Sequence, residues 1–395
     1  MSLWRTEVLH RRVTSDANRT PVARHLLSIF SPRALLQNAS VGSAVRGRKG
    51  QVDDTRAVRA MRILNARIVS ENMAAIFRLY RLRFHFVSAE PVYYPHGRAS
   101  NVIRGALGTI LHGIACVPDC PGARSCALRA TCAYARIFEP AGWDAGPSGL
   151  QDPPRPFVLR ASHLDGVTVA AGQTFFFDVH LFLTVDPPLE YFLSAFSQLA
   201  ETGLGPSRGR VRLEAVDVIG KDPGAAVEAR IFGQGRFVGQ GLPDALEFPL
   251  AGEGREGGEV RVKFVTPLEL KQKGRIATRP EFGLLMTRIA ERLSNLCAMY
   301  GGEPLDWDWR GVVARAQAVS LVDWRVGPEA EAVRFSTKTG QRHSVGGLTG
   351  EAVYRGAGIR EFLPVLEAAK YCGVGRHTVW GNGVLELGCP RQVDS

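Results

Sequence analysis

The 395-residue sequence has no run of eighteen uncharged apolar residues; even the apolar stretch from Gly172 to Val185 is broken by Gln173, Asp178 and His180. A membrane-spanning helix is therefore not expected. It also lacks the even, well-spread cysteines of a disulfide-stapled secreted protein. Of seven cysteines, four fall between Cys116 and Cys132, while Cys297, Cys372 and Cys389 are scattered. That distribution points to a reducing, cytoplasmic setting. No Gly-Lys-Ser/Thr triplet follows any glycine-rich loop, which excludes a nucleotide P-loop, and no paired carboxylates suggest a two-metal nuclease. Acidic residues are scarce at the amino terminus: residues 1–72 hold +8 of the formal net charge of +11.

With 45% hydrophobic residues, the chain can bury the cores of two ordinary domains. Residues 1–72 read as a basic, disordered tail with at most a short helix near Thr55 to Ser70, either an RNA-contacting arm or a solvated extension. Met61 and Met73 are alternative starts. Order is expected from Phe77, where Leu79, Leu82, Phe84 and Phe86 alternate with Arg and His as in a strand. A helix follows over Asn101 to Ala115. Strands are expected at Phe157 to Arg160 and Gln173 to Thr184.

A long-period repeat organises the rest. The helix Leu189 to Thr202 runs into GLGPSRGRVRLEAV, and the helix Ile359 to Tyr371 runs into GVGRHTVWGNGVLEL, 170 residues later. Each helix enters a glycine-rich, Arg-bearing loop that leads into a strand. This duplication predicts an α+β protein of tandem ferredoxin-like (RRM-like, βαββαβ) domains, residues 77–250 and 259–390, joined near Ala251 to Gly258. The second would use Glu259 to Phe264, Arg315 to Trp324, Glu331 to Ser336 and Gly383 to Leu387 as strands, with a helix over Phe282 to Tyr300.

Glycine lets backbone N–H groups approach phosphate closely. In the terminal loop Gly373, Gly375, Gly381 and Gly383 surround Arg376, His377 and Thr378, all three possible phosphate donors. Arg208 and Arg210 occupy the matching place in the first loop. His343, beside Arg342 and Lys338, could also face RNA. Trp307, Trp309 and Trp324 are expected to pack rather than to stack on bases. His85 and His180, inside strands, are expected to be structural.

Several of these elements, taken with Asn101-Val-Ile-Arg-Gly-Ala-Leu-Gly108, Cys132-Ala-Tyr-Ala-Arg-Ile-Phe-Glu-Pro140 and Gly346-Gly-Leu-Thr-Gly350, make the chain resemble the RAMP superfamily of CRISPR systems. It is most similar to the precursor-RNA processing endoribonucleases, the sixth family of Cas proteins. The resemblance implies binding of CRISPR repeat RNA and cleavage of precursor crRNA once per repeat, without a catalytic metal. The ribose 2′-hydroxyl attacks the adjacent phosphate, leaving 2′,3′-cyclic phosphate and 5′-OH ends. A non-catalytic RAMP subunit that holds guide RNA in an effector complex is the alternative, and other Cas proteins are possible partners.

Such a cut needs proton carriers and cationic donors. In this family the catalytic histidine usually lies in or near the first helix of the first domain, where His96 in the turn YYPHGR and His112 in the helix are the candidates. Tyr94 and Arg98 flank His96 as orienter and phosphate clamp, and Arg104 on the same helix could contact RNA. Cys116, Cys120, Cys126 and Cys132, spaced C-x3-C-x5-C-x5-C, suggest a structural zinc, with an iron–sulfur cluster as the alternative. His112, four residues before Cys116, could instead be buried or be a metal ligand.

Overall fold

A computed structural model describes residues 75–117, 119–140, 152–221, 224, 226–239, 241–252, 258–302, 304–328, 332–335 and 342–388. The expected tail, residues 1–72, lies outside them, as does Cys389.

Alternation of apolar and charged residues in IFRLYRLRFHFVS produces the central strand β1, Ile76–Ser88, with Phe77, Leu79, Leu82, Phe84 and Phe86 buried. Helix α1, Ala99–Ala115, buries a stripe of Ile103, Leu107, Ile110 and Leu111. Asp165 caps it from outside the helix, its Oδ1 accepting the Ala99 N–H at 2.8 Å. Strands β2 (Phe157–Arg160) and β3 (Thr174–Leu181), helix α2 (Leu189–Ser197) and strand β4 (Val211–Ile219) complete a βαββαβ unit. The strands lie in the order β4-β1-β3-β2, all neighbours antiparallel, which is the ferredoxin-like arrangement. Beyond β4 the sheet is extended by β5, Val227–Gly233. Strand β6, Leu246–Pro249, returns to pair with the start of β1.

The second half repeats the plan. Strand β7 (Gly258–Leu268), helices α3 (Phe282–Tyr300) and α4 (Trp309–Ala316), strands β8 (Ser320–Pro328) and β9 (Leu348–Gly356), helix α5 (Leu363–Cys372) and strand β10 (Leu385–Gly388) follow in sequence. Their sheet order, β10-β7-β9-β8, is again ferredoxin-like. Leu285, Ile289 and Leu293 of α3 are fully buried, and the Tyr371 ring of α5 lies 4.7 Å from that of Phe248 in β6. The two sheet units thus share packing.

Three expectations change. Residues expected to open a strand at Arg315 form the end of α4, because Asp308 caps that helix by accepting the Gly311 N–H at 2.9 Å. The strand expected at Glu331 to Ser336 is Ala332–Phe335, which pairs in a hairpin with Arg342–Val345, and the sheet strand is β9 instead. Trp324, expected to pack, is 41% exposed with the Arg279 guanidinium 4.3 Å from its ring.

Candidate functional site

Both glycine loops are built alike. Gly203, after the helical turn Leu199–Thr202, has φ 71° and ψ 170°; Gly373, after α5, has φ 74° and ψ 167°. The residue after each closes its loop, with Leu204 N–H donating to Gly209 O at 2.8 Å and Val374 N–H to Gly383 O at 2.9 Å. Each loop also packs on the exit of its unit's first strand. A Cβ at Gly209 would meet the Pro91 carbonyl at 2.4 Å, and one at Gly375 the Glu269 carbonyl at 2.4 Å. Only glycine allows these approaches.

The first half holds the second loop at its root. The last carbonyls of α5 have no intrahelical donors. Arg160 of β2 donates to Tyr371 O at 3.0 Å and His180 Nδ1 of β3 to the same oxygen at 2.8 Å, while Arg292 of α3 donates to Cys372 O at 2.9 Å. Because a carbonyl only accepts, His180 carries its proton on Nδ1. Burial lowers the His180 pKa to about 3, and the nearby Arg160 adds to the effect, so the ring stays neutral.

Beyond this root the loop opens on a cleft of about 400 Å³, whose lining includes Arg155, Lys271, Arg288, Glu269, Arg376 and His377. Glu269 is only 2% exposed; its carboxylate pairs with the Arg376 guanidinium, and its backbone carbonyl accepts the Arg376 N–H at 3.1 Å. His377 sits at φ 62°, stacked 4.1 Å above Trp380, with Nδ1 3.6 Å from the same carboxylate. Arg155, Lys271, Arg288 and Glu269 were not singled out from sequence. The run LELKQKGR carried a signal for Lys271, but the 107-residue separation of Glu269 from Arg376 did not.

The first turn of α1 reaches this loop, since a Cβ at Gly381 would meet the Ser100 side chain at 2.7 Å. His96 and Arg98, just before that turn, are exposed. Tyr94 differs from expectation: its ring is fully buried, edge-on to Phe175, so it packs rather than faces solvent. Arg104 is likewise turned inward, 9% exposed with its guanidinium 4.4 Å from the Phe138 ring. Arg208 is exposed, and Arg210 forms an ion pair with Glu90. Thr378 is buried in the terminal loop. His343 lies on the hairpin strand Arg342–Val345, opposite Arg334.

At the far end of α1, the ligand atoms of His112, Cys116 and Cys120 all lie within 4.8 Å of one another, a grouping that could hold a metal ion. Burial, with the Cys132 and Cys120 thiols beside it, raises the pKa of the Cys116 thiol. Cys126 and Cys132 both stand outside this converging trio, and Cys126 is buried in the turn that its N–H closes on Gly122 O at 3.0 Å. His112, a possible metal ligand by its place four residues before Cys116, thus converges with two of the four expected cysteines. Among the described residues, no helix is long and apolar enough to cross a membrane.

Residues 77–241 match a family model described as an N-terminal domain, and residues 262–385 match that of the CRISPR-associated endoribonuclease Cas6. No curated protein matches the chain. Among solved structures, Thermus thermophilus Cas6 shares 16% identity over 79% of this chain and 98% of its own, with a TM-score of 0.44. A Cas6 product complex shares 17% identity over 79% of this chain and all of its own, at 0.46. A partial Cas6-RT-Cas1–Cas2 complex shares 12% over 80% of this chain and 46% of that one, at 0.48. The match over residues 262–385 makes the part of the chain that holds the second sheet and terminal glycine loop similar to the CRISPR-associated endoribonuclease Cas6.

Proposed function

We propose that this protein binds CRISPR repeat RNA in the cytoplasm and cuts precursor crRNA by attack of a ribose 2′-hydroxyl on the adjacent phosphate, giving 2′,3′-cyclic phosphate and 5′-OH ends. The observation that carries this reading is the terminal glycine loop: it lies within the Cas6 match and opens on a cleft bordered by Arg155, Lys271, Arg288 and Arg376. These cations suit a phosphodiester and the charge that develops on it.

In this reading His96 carries the proton, from an exposed turn that precedes Ser100, whose side chain lies against Gly381, and Arg98 clamps phosphate. Arg376 and His377 bind RNA rather than move protons, because Glu269 engages both. Arg208 and the first glycine loop extend the RNA surface. No metal takes part in the cut; the His/Cys group at the end of α1 holds zinc structurally. Other Cas proteins are the protein partners.

The test incubates the purified full chain with its host's repeat RNA in EDTA, with zinc content measured in parallel, and maps the ends. Cleavage at one position, lost in His96→Ala with binding retained, is expected. Tight binding without any cleavage would favour a guide-holding subunit, and no binding would overturn the proposal.

A further inference from the structure

We infer that the protein carries a zinc centre ligated by His112, Cys116, Cys120 and Cys132, from which Cys126 is excluded. The inference stands independently of RNA cleavage. His112 and Cys116 are four residues apart at the end of α1, so helical geometry brings both donors to one face. The turn closed by Cys120 N–H on Val117 O, at 3.2 Å, folds the chain back and brings the Cys120 thiol to the same point. Three donors from three successive positions, spaced H-x3-C-x3-C, therefore converge within 4.8 Å. Tetrahedral zinc with bonds of about 2.0–2.3 Å holds its ligand atoms roughly 3.5–3.8 Å apart, so the side chains need to close by only about an ångström. Cys132, whose thiol acts on that of Cys116, is the nearest further thiolate this arrangement offers as the fourth ligand.

The ligand chemistry selects the ion. One imidazole with three thiolates is a soft nitrogen and sulfur set that suits zinc and disfavours magnesium or calcium, and four protein donors leave no position for an activated water. The Tyr134 ring stands perpendicular to the His112 imidazole, 5.0 Å away, and restricts its rotation.

The position gives the centre a purpose. It ties the end of α1 to the segment that ends in Phe138, whose ring lies so close to Gly108 that a Cβ there would be 2.2 Å from it. Through that contact the clip holds the helix whose other end touches the glycine loop. His112 is thereby a ligand and leaves the proton chemistry to another residue.

The test measures metal content of the full-length protein by mass spectrometry and the visible spectrum after cobalt replacement. One zinc per chain is expected, retained in Cys126→Ser and lost in His112→Ala and Cys120→Ser, with a tetrahedral cobalt spectrum. Absence of metal from the wild type, retention in His112→Ala, loss in Cys126→Ser, or iron with acid-labile sulfide would each overturn the assignment. Should His112→Ala be insoluble, His112→Cys decides. Retained metal with a cobalt–thiolate band raised by about one third, four thiolates replacing three, supports it; an unchanged band means that the native centre already has four thiolates and refutes it.

Discussion

Arg160 and Tyr371, 211 residues apart in sequence, meet at a hydrogen bond of 3.0 Å from the guanidinium Nη2 to the backbone carbonyl. A strand of the first sheet thus satisfies the end of the helix that launches the terminal glycine loop. Replacing Arg160 by Met should leave that carbonyl with only the His180 donor and cost about 1–3 kcal/mol of stability. Urea unfolding of the variant measures it, and repeat RNA binding should weaken in parallel because the loop loses its root. Unchanged stability would show that the contact contributes nothing.

The second donor to that carbonyl makes stability depend on pH. With its folded pKa lowered to about 3 against about 6.5 in the unfolded chain, His180 is neutral in the fold and takes up a proton only on unfolding. Its contribution is complete above pH 6.5 and falls by about 1.4 kcal/mol per pH unit as acid is added, down to pH 3. His180→Gln should flatten the decline in stability between pH 7 and 5 by up to that slope. Equal slopes would mean that the ring already protonates in the fold.

Glycine substitutions should divide by position. A Cβ at Gly383, where φ is 70°, would stand 1.9 Å from the Val374 carbonyl, so Gly383→Ala should cost about 2–4 kcal/mol and depress cleavage. At Gly113, in α1, nothing lies within 4 Å, and Ala should stabilise by about 0.5–1 kcal/mol through helix propensity. Thermal unfolding of the two variants checks both signs.

Arg376 and Glu269 should not be equivalent partners. The carboxylate is 2% exposed and the guanidinium side chain 47%. Arg376→Ala strands a buried charge and should cost about 1–3 kcal/mol after allowance for solvent screening. Glu269→Gln keeps the shape and an acceptor, and should cost about 1 kcal/mol or less. RNA affinity should fall with Arg376→Ala, and a filter-binding titration with a salt series measures the loss.

Much of the fold was legible because its elements repeat. Alternation marked β1, a long apolar stripe marked α3 at its observed ends, and the duplicated helix-to-glycine step revealed the tandem plan before any strand order was known. Strand β9 carries no clear strand signal because Gly350, at φ 122°, interrupts its alternation. Helix α4 was hidden by its valines, although Asp308 and Gly311 held the capping signal. The cysteine spacing suggested a metal group, but that Cys120 joins His112 and Cys116 depends on the turn closed on Val117 O. Glu269 and Arg160 act across more than a hundred residues, a relation that no local pattern encodes.

The most direct test of the proposed cleavage is a repeat RNA with a single 2′-deoxy substitution at the nucleotide before the mapped cut. The substituted RNA should bind as tightly as the natural one and remain uncut, because the attacking hydroxyl is gone. Cleavage of the deoxy substrate at the natural rate would contradict the 2′-hydroxyl mechanism and require a water nucleophile in its place.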